Sequence, residues 1–311
     1  MIELFKTNGI AQFLLLLTIT LLGCIKVTIQ TKACRRNLKN TQDSLIYNTM
    51  FFASVALFLG LIFPQTLPTP LLITLSALSA ITNVAFQVIY SVCLTCGPIS
   101  LTVLIVNFSV LIPTLYSSVF FKEQVFITQI FGIILLIVSM LLSFNRNEGE
   151  QKASKKWLIL TLIALGANGA GAIIQKFFYK TELANVENAA NTFLLFVYIF
   201  ATAMTFVLSL FNSHMGKKEK CTFWFSKSML FYAVIVGLII SVFQKLFMLS
   251  TECVPGTVMY PTYYGMQSVG MGIIGMLVFK DHLSVKQKLG ILVGALSIAM
   301  MNLKIGWSFT L

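Results

Sequence analysis

Stretches of about twenty apolar residues recur along the chain with short breaks between them, and that is the length an α-helix needs to cross the hydrocarbon core of a bilayer. They read as spans over 10–30, 43–63, 71–94, 99–121, 125–144, 157–178, 189–211, 229–250, 257–279 and 284–304. The breaks carry turn chemistry: Pro64, Pro68 and Pro70, then Gly97-Pro98, then Pro255-Gly256. Inside lipid every backbone N–H and C=O must find an internal partner, so helices are the form such segments take. The sequence predicts an all-α integral membrane protein with ten transmembrane helices. Composition agrees: 57% of the 311 residues are hydrophobic and 10% charged, where a soluble domain carries about 25% charge.

The net charge of +12 does not point to nucleic acid, because the basic residues sit in short runs between apolar segments. Lys32, Arg35, Arg36 and Lys39 follow the first span, and Arg146, Lys152, Lys155 and Lys156 follow the fifth. Lys217, Lys218, Lys220 and Lys227 follow the seventh, and Lys280, Lys286 and Lys288 the ninth. All four loops fall on one side of a ten-span chain. The positive-inside rule assigns that side to the cytoplasm, which places both termini outside and the protein in the cell (plasma) membrane. The N-terminal Lys6, the apolar run from Ile10 and the group Leu21-Leu22-Gly23-Cys24 mimic a lipoprotein signal. The repeat described next requires that segment as an uncleaved first span.

Comparing the two halves shows a duplication. Phe121-Lys122-Glu123 recurs 158 residues later as Phe279-Lys280-Asp281, and at the same offset Gln129, Gly132, Ile133 and Ser139 match Gln287, Gly290, Ile291 and Ser297. At an offset of 157, Phe86-Gln87 matches Phe243-Gln244, Cys96 matches Cys253 and Pro98 matches Pro255. Hydrophobic bias explains matched Ile or Leu; it does not explain matched Lys, acid, Gln, Gly and Pro in order. Two copies follow, over 1–150 and 151–311. Five spans per copy is an odd number, so the second copy enters the membrane upside down, an arrangement of many secondary carriers.

With these residues in view, the chain resembles the drug/metabolite transporter (DMT) superfamily, specifically its ten-helix EamA-like branch. The resemblance rests on Gly97-Pro-Ile-Ser100, Phe121-Lys-Glu123 and Gly132, with Pro255-Gly-Thr257, Phe279-Lys-Asp281 and Gly290 as their counterparts. Lys stands in both copies where the family has Gly before an acidic residue. The resemblance implies two inverted five-helix repeats around a central cavity, walled by the first, third, fourth, sixth, eighth and ninth spans. It further implies export, uptake or exchange of a small-molecule solute by alternating access.

Polar groups at mid-span face protein or a wet cavity, since facing hydrocarbon costs several kcal/mol. The candidate substrate-binding residues are the midplane amides Asn83, Asn107, Asn168 and Gln267, with Gln87 one turn from Asn83 and with Gln175 and Gln244 nearer the outer ends. The alternative for each is an interhelical hydrogen bond. Tyr260 and Tyr264 share a face of the ninth span, beside Tyr263 and Pro261, and suit either ring stacking or an interfacial belt. Lys26, Lys176 and Lys245 lie inside spans and suit either snorkelling or anion binding; Lys176 joins the candidate set. Gly290 and Gly294 form a G-x-x-x-G face open to internal packing or to a homodimer.

No enzyme, cofactor or metal site is expected. His214 and His282 are in loops, the six cysteines form no spaced framework, and Cys93-x-x-Cys96 has no companion pair. All ten carboxylates lie at span ends or in loops, which argues against coupling through a midplane acid. The rival to a carrier is a non-transporting scaffold, receptor or lipid scramblase.

Overall fold

The computed structural model describes residues 8–37, 41–96, 102, 105–143, 154–215, 226–278, 284–302 and 308–309. Helices overlie the apolar stretches: α1 (Gly9–Asn37), α2 (Thr41–Ile62), α3 (Pro70–Cys96), α4 (Leu111–Phe121), α5 (Ile127–Ser143), α6 (Lys155–Phe178), α7 (Ala189–Met215), α8 (Lys227–Cys253), α9 (Gly256–Val278) and α10 (Val285–Asn302). Among the described residues six helices are long and apolar enough to cross a membrane: α1, α2, α3, α6, α7 and α8. Ile105–Phe121 and Ile127–Leu142 are shorter apolar helices. Large apolar side chains such as Ile10, Leu61, Leu67, Phe211 and Leu292 are exposed on the outer surface, as a lipid-facing exterior requires. The chain is an all-α protein of integral-membrane character.

Local chemistry sets the helix ends. Ser154 caps α6 by accepting from the Trp157 N–H at 3.1 Å. At α5 and α10 one device recurs: Gln129 Oε1 accepts from the Phe126 N–H at 3.0 Å, and Gln287 Oε1 accepts from the Ser284 N–H at 2.9 Å. Each glutamine reaches back three residues to satisfy an orphan donor of the first turn. Hydroxyls inside the helices fold back onto carbonyls one turn earlier, as Thr20 does onto Leu16 and Thr205 onto Ala201, so they face lipid or neighbours already satisfied.

Several boundaries move from the expected spans. α1 runs seven residues past Gln30, beyond a membrane core, taking Lys32, Arg35 and Arg36 with it. The fourth span is interrupted by a 3₁₀ turn at Phe108–Val110. α5 starts at Ile127 because Val125 and Phe126 pair as a short strand with Phe309 and Ser308. The repeated Phe279-Lys280-Asp281 and the opening Gly97-Pro-Ile-Ser100 lie outside the described residues.

α5 pairs with α10, α2 with α7 and α4 with α9; α3 lies on α6 and α7; α8 lies on α1 and α2; and α9 lies on α1 and α10. α5 and α10 cross antiparallel: a Cβ on Gly132 would come 3.1 Å from the Ser297 carbonyl oxygen, and the Ser139 hydroxyl donates to the Gly290 carbonyl at 2.7 Å. A Cβ on Gly294 would come 2.7 Å from Ser139 Oγ and 2.8 Å from Val269. The Gly290–Gly294 face therefore packs onto α5 and α9 within the chain. α2 and α7 are also antiparallel, with Gln42 on Ser209 at one end and the Thr66 N–H on Thr192 at the other, 2.9 Å and 2.8 Å. Two apolar cores result, one around α2, α3, α7 and α8 and one around α1, α5 and α9, and Phe243 packs against both.

Candidate functional site

Where the two cores meet, a cavity of about 160 Å³ remains between α1, α2, α3, α6, α7, α8 and α9. That is small beside the roughly 300–1,000 Å³ of pockets that hold drug-sized ligands. Asn83 and Gln87 enter from α3, Asn168 and Gln175 from α6, Gln244 from α8, and Tyr264 and Gln267 from α9. The structure thus brings together seven of the ten residues singled out in the sequence. The i, i+4 spacing of Asn83 and Gln87 puts both on one face of α3.

Some of these amides are held by the protein. Gln244 Nε2 donates to the Tyr198 hydroxyl at 2.6 Å, Asn168 Nδ2 to the Ser109 hydroxyl at 2.7 Å, and Asn83 Nδ2 to the Ser79 carbonyl at 2.8 Å. Gln175, only 7% exposed, and Gln267 make no hydrogen bond among the described residues. Buried amides without protein partners are satisfied by water or by a solute.

The three remaining candidates lie elsewhere. Asn107 immediately precedes the 3₁₀ turn and does not line the cavity; Ser109, inside that turn, reaches Asn168 instead. Tyr260 is fully buried, and its hydroxyl donates to the Ala172 carbonyl at 3.0 Å, so it ties the first turns of α9 to α6. The α9 tyrosines in the lining are Tyr263 and Tyr264, 5.1 Å apart and tilted by 70°. Lys176 is drawn to the break between α8 and α9. Pro255 has no N–H to offer the Thr251 carbonyl, and Lys176 Nζ supplies that donor at 3.0 Å. The ammonium also donates to the Val254 carbonyl at 3.1 Å and pairs with Glu123 at 3.1 Å. The other Glu123 oxygen accepts from the Thr257 N–H at 3.1 Å. An anion thus meets the start of α9 and a cation the end of α8, matching both helix dipoles.

Other residues complete the lining. Phe51 and Phe52 from α2 and Tyr198 from α7 join it, while α4 contributes none of the lining residues. The second and seventh helices thus join the expected set of cavity helices, while the first half of the expected fourth span lies largely outside the described residues. Lys26, one turn beyond Gly23 on α1, is a charged residue of the lining; among the described residues no carboxylate lines it. Lys245 turns away and donates to Asn191. Gly23 has a steric reason to be glycine, since a Cβ there would come 3.1 Å from the Tyr263 hydroxyl and 3.5 Å from Gln267 Nε2.

Phe86-Gln87 and Phe243-Gln244, matched in the sequence, line the same cavity from α3 and α8. Each phenylalanine stacks on an aromatic residue one turn later: Phe86 on Tyr90 at 5.4 Å and Phe243 on Phe247 at 5.5 Å, both tilted by 27°. A recurring amide beside a recurring ring stack can hold a polar solute by its edge and an apolar surface by its face.

No protein-family model matches the chain, and no curated protein matches it. Among solved structures, one described only as "Crystal structure of protein" superposes with a TM-score of 0.68, covering 92% of this chain and 98% of its own, at 12% sequence identity. At that identity the likeness shows a shared fold and nothing of activity.

Proposed function

We propose that the chain is a secondary carrier that moves a small metabolite across the cell membrane by alternating access, built as ten spans in two inverted five-helix copies, 1–150 and 151–311. The resemblance to EamA-like drug/metabolite transporters agrees with this reading. The observation that carries it is the cavity itself: a repeated Phe-Gln pair, one from each half, faces one chamber together with Gln175 and Gln267, amides that make no hydrogen bond among the described residues.

The helix pairing supports the duplication. Exchanging each helix with the one five places along turns the α3–α6 contact into α8–α1, α3–α7 into α8–α2, and α4–α6 into α9–α1; α2–α7, α4–α9 and α5–α10 map onto themselves. The α9–α10 contact has no comparable α4–α5 counterpart among the described residues, so the copies have diverged at that corner. Two copies that can exchange conformations give outward-open and inward-open states around a fixed site. With no carboxylate in the lining among the described residues, facilitated passage or solute exchange fits better than proton coupling. The run of basic residues supports an orientation with Lys155, Lys227 and Lys286 in the cytoplasm and both termini outside.

The test is flux of labelled metabolites into proteoliposomes. We expect saturable uptake or exchange, lowered several-fold and to a similar degree by Gln87→Ala and Gln244→Ala, because the two are related by the repeat. Movement of a lipid probe without solute flux would make the protein a scramblase, and an absence of both would make it a scaffold.

A further inference from the structure

We infer that the cavity takes a planar solute bearing a negative charge, its anionic group held beside Lys26, Tyr263 and Gln267 and its ring between the aromatic faces of α3 and α8. As a substrate class this rests on the carrier reading above; as a binding preference it does not.

The anion end is marked by charge and by open donors. Lys26 gives the lining a positive charge, and charge in a low-dielectric chamber acts strongly on a bound group. Asn83, Asn168 and Gln244 already direct N–H groups at protein acceptors. The Gln267 and Gln175 amides and the Tyr263 hydroxyl make no hydrogen bond among the described residues. Gly23 brings two of these together: Tyr263 Oη and Gln267 Nε2 both lie within 3.5 Å of where its Cβ would stand, one turn before Lys26 on the same helix. A carboxylate or similar anion accepts several such hydrogen bonds at once.

The ring end is marked by aromatic geometry. Phe247 meets Tyr263 edge-on at 5.3 Å and 77°, and Phe243 stands 6.0 Å from Tyr263. With Phe86 of α3 also in the lining, these surfaces favour a flat guest over a branched one. The modest cavity volume restricts that guest to about one ring and its substituents.

Three probes of matched size separate the possibilities: nicotinate, nicotinamide and benzylamine, read by thermal shift of the purified full-length protein. We expect nicotinate to raise the melting temperature at concentrations at least tenfold lower than nicotinamide, and benzylamine to have no effect. Lys26→Gln should erase the preference and Lys26→Arg should keep it. If Lys26→Gln fails to fold, the ranking on the unaltered protein and on Lys26→Arg still decides. Equal or tighter binding of nicotinamide or benzylamine, a preference that survives Lys26→Gln, or binding of none of the three overturns the inference. Proteoliposome flux separates it from the carrier reading. Nicotinate that binds while no labelled metabolite is carried leaves the binding preference standing and removes the carrier. Benzylamine carried while nicotinate neither binds nor is carried does the reverse.

Discussion

Lys122 ends α4 in the left-handed region, at φ 51°, with its N–H on the Ser117 carbonyl. That conformation suits glycine, and a side chain there costs about 1 kcal/mol. It is the position at which the resembled family has Gly, so the sequence displayed the departure while the structure supplies the conformational reason. Lys122→Gly should raise stability by roughly 0.5–1 kcal/mol and Lys122→Ala should not, measured as melting temperature in detergent. Beside it, Glu123 and Lys176 form a pair whose side chains are 13% and 8% exposed. Removing one partner of a buried pair strands the other and costs about 3–5 kcal/mol, whereas replacing both with apolar residues costs much less. Glu123→Gln and Lys176→Met should each lower the melting temperature by more than the double substitution Glu123→Leu/Lys176→Met. Additive losses would show that the two side chains act independently. Lys176 was open in the sequence to a ligand role. What hid its actual partner is non-local: only in three dimensions does the carbonyl orphaned by Pro255 meet the end of α6.

Among helices, the α5–α10 crossing brings residues matched in the sequence into mutual contact. Gly132 faces Ser297 and the Gly290 carbonyl faces Ser139, so each half of the chain contributes a glycine and a serine to the crossing. A methyl group on Gly132 would come 2.5 Å from Met301 Cγ and 3.0 Å from the Met301 nitrogen, and that backbone cannot swing aside. Gly132→Ala should therefore cost about 1–3 kcal/mol by overpacking. Gly166 on α6 has nothing within 4 Å of its would-be Cβ, so Gly166→Ala should be neutral or stabilise by up to about 1 kcal/mol. Parallel melting curves of the two variants test this; equal losses would mean that α5 and α10 are not packed this closely. The matched glycines and serines were legible as repeats, but not as mutual contacts, because sequence offset says nothing about which element a copy faces. The same gap hid Phe51, Phe52 and Tyr198: apolar and aromatic residues on any span look alike until one face is shown to line a cavity.

At the scale of the whole molecule, helix positions were legible because a bilayer demands long apolar runs, and most of the cavity amides were legible because a polar group at mid-depth needs a reason. The tyrosines were half legible, since their spacing gave a shared face but not the carbonyl of Ala172 that claims Tyr260. Direction is the property on which transport depends most. α4 ends at Phe121, and the Glu123 carboxylate just beyond it holds the start of α9 through the Thr257 N–H. From there α9 runs for 23 residues, a rise of about 35 Å at 1.5 Å per residue, a length that matches the thickness of a bilayer's hydrocarbon core. Its far end and the start of α10 should consequently emerge on the face opposite Lys122. Single cysteines at Lys122 and Lys286 test this in intact cells with a membrane-impermeant thiol reagent, in a background with Cys34, Cys96 and Cys221 replaced. Cys24, Cys93 and Cys253 are buried and stay silent. Labelling from outside at 122 and only after permeabilisation at 286 fits both the inversion and the charge-derived orientation. The reverse pattern keeps the inversion and turns the protein over. Labelling of both from one side would place corresponding turns of the two copies on one face, and two copies that do not oppose each other cannot alternate access to a common chamber.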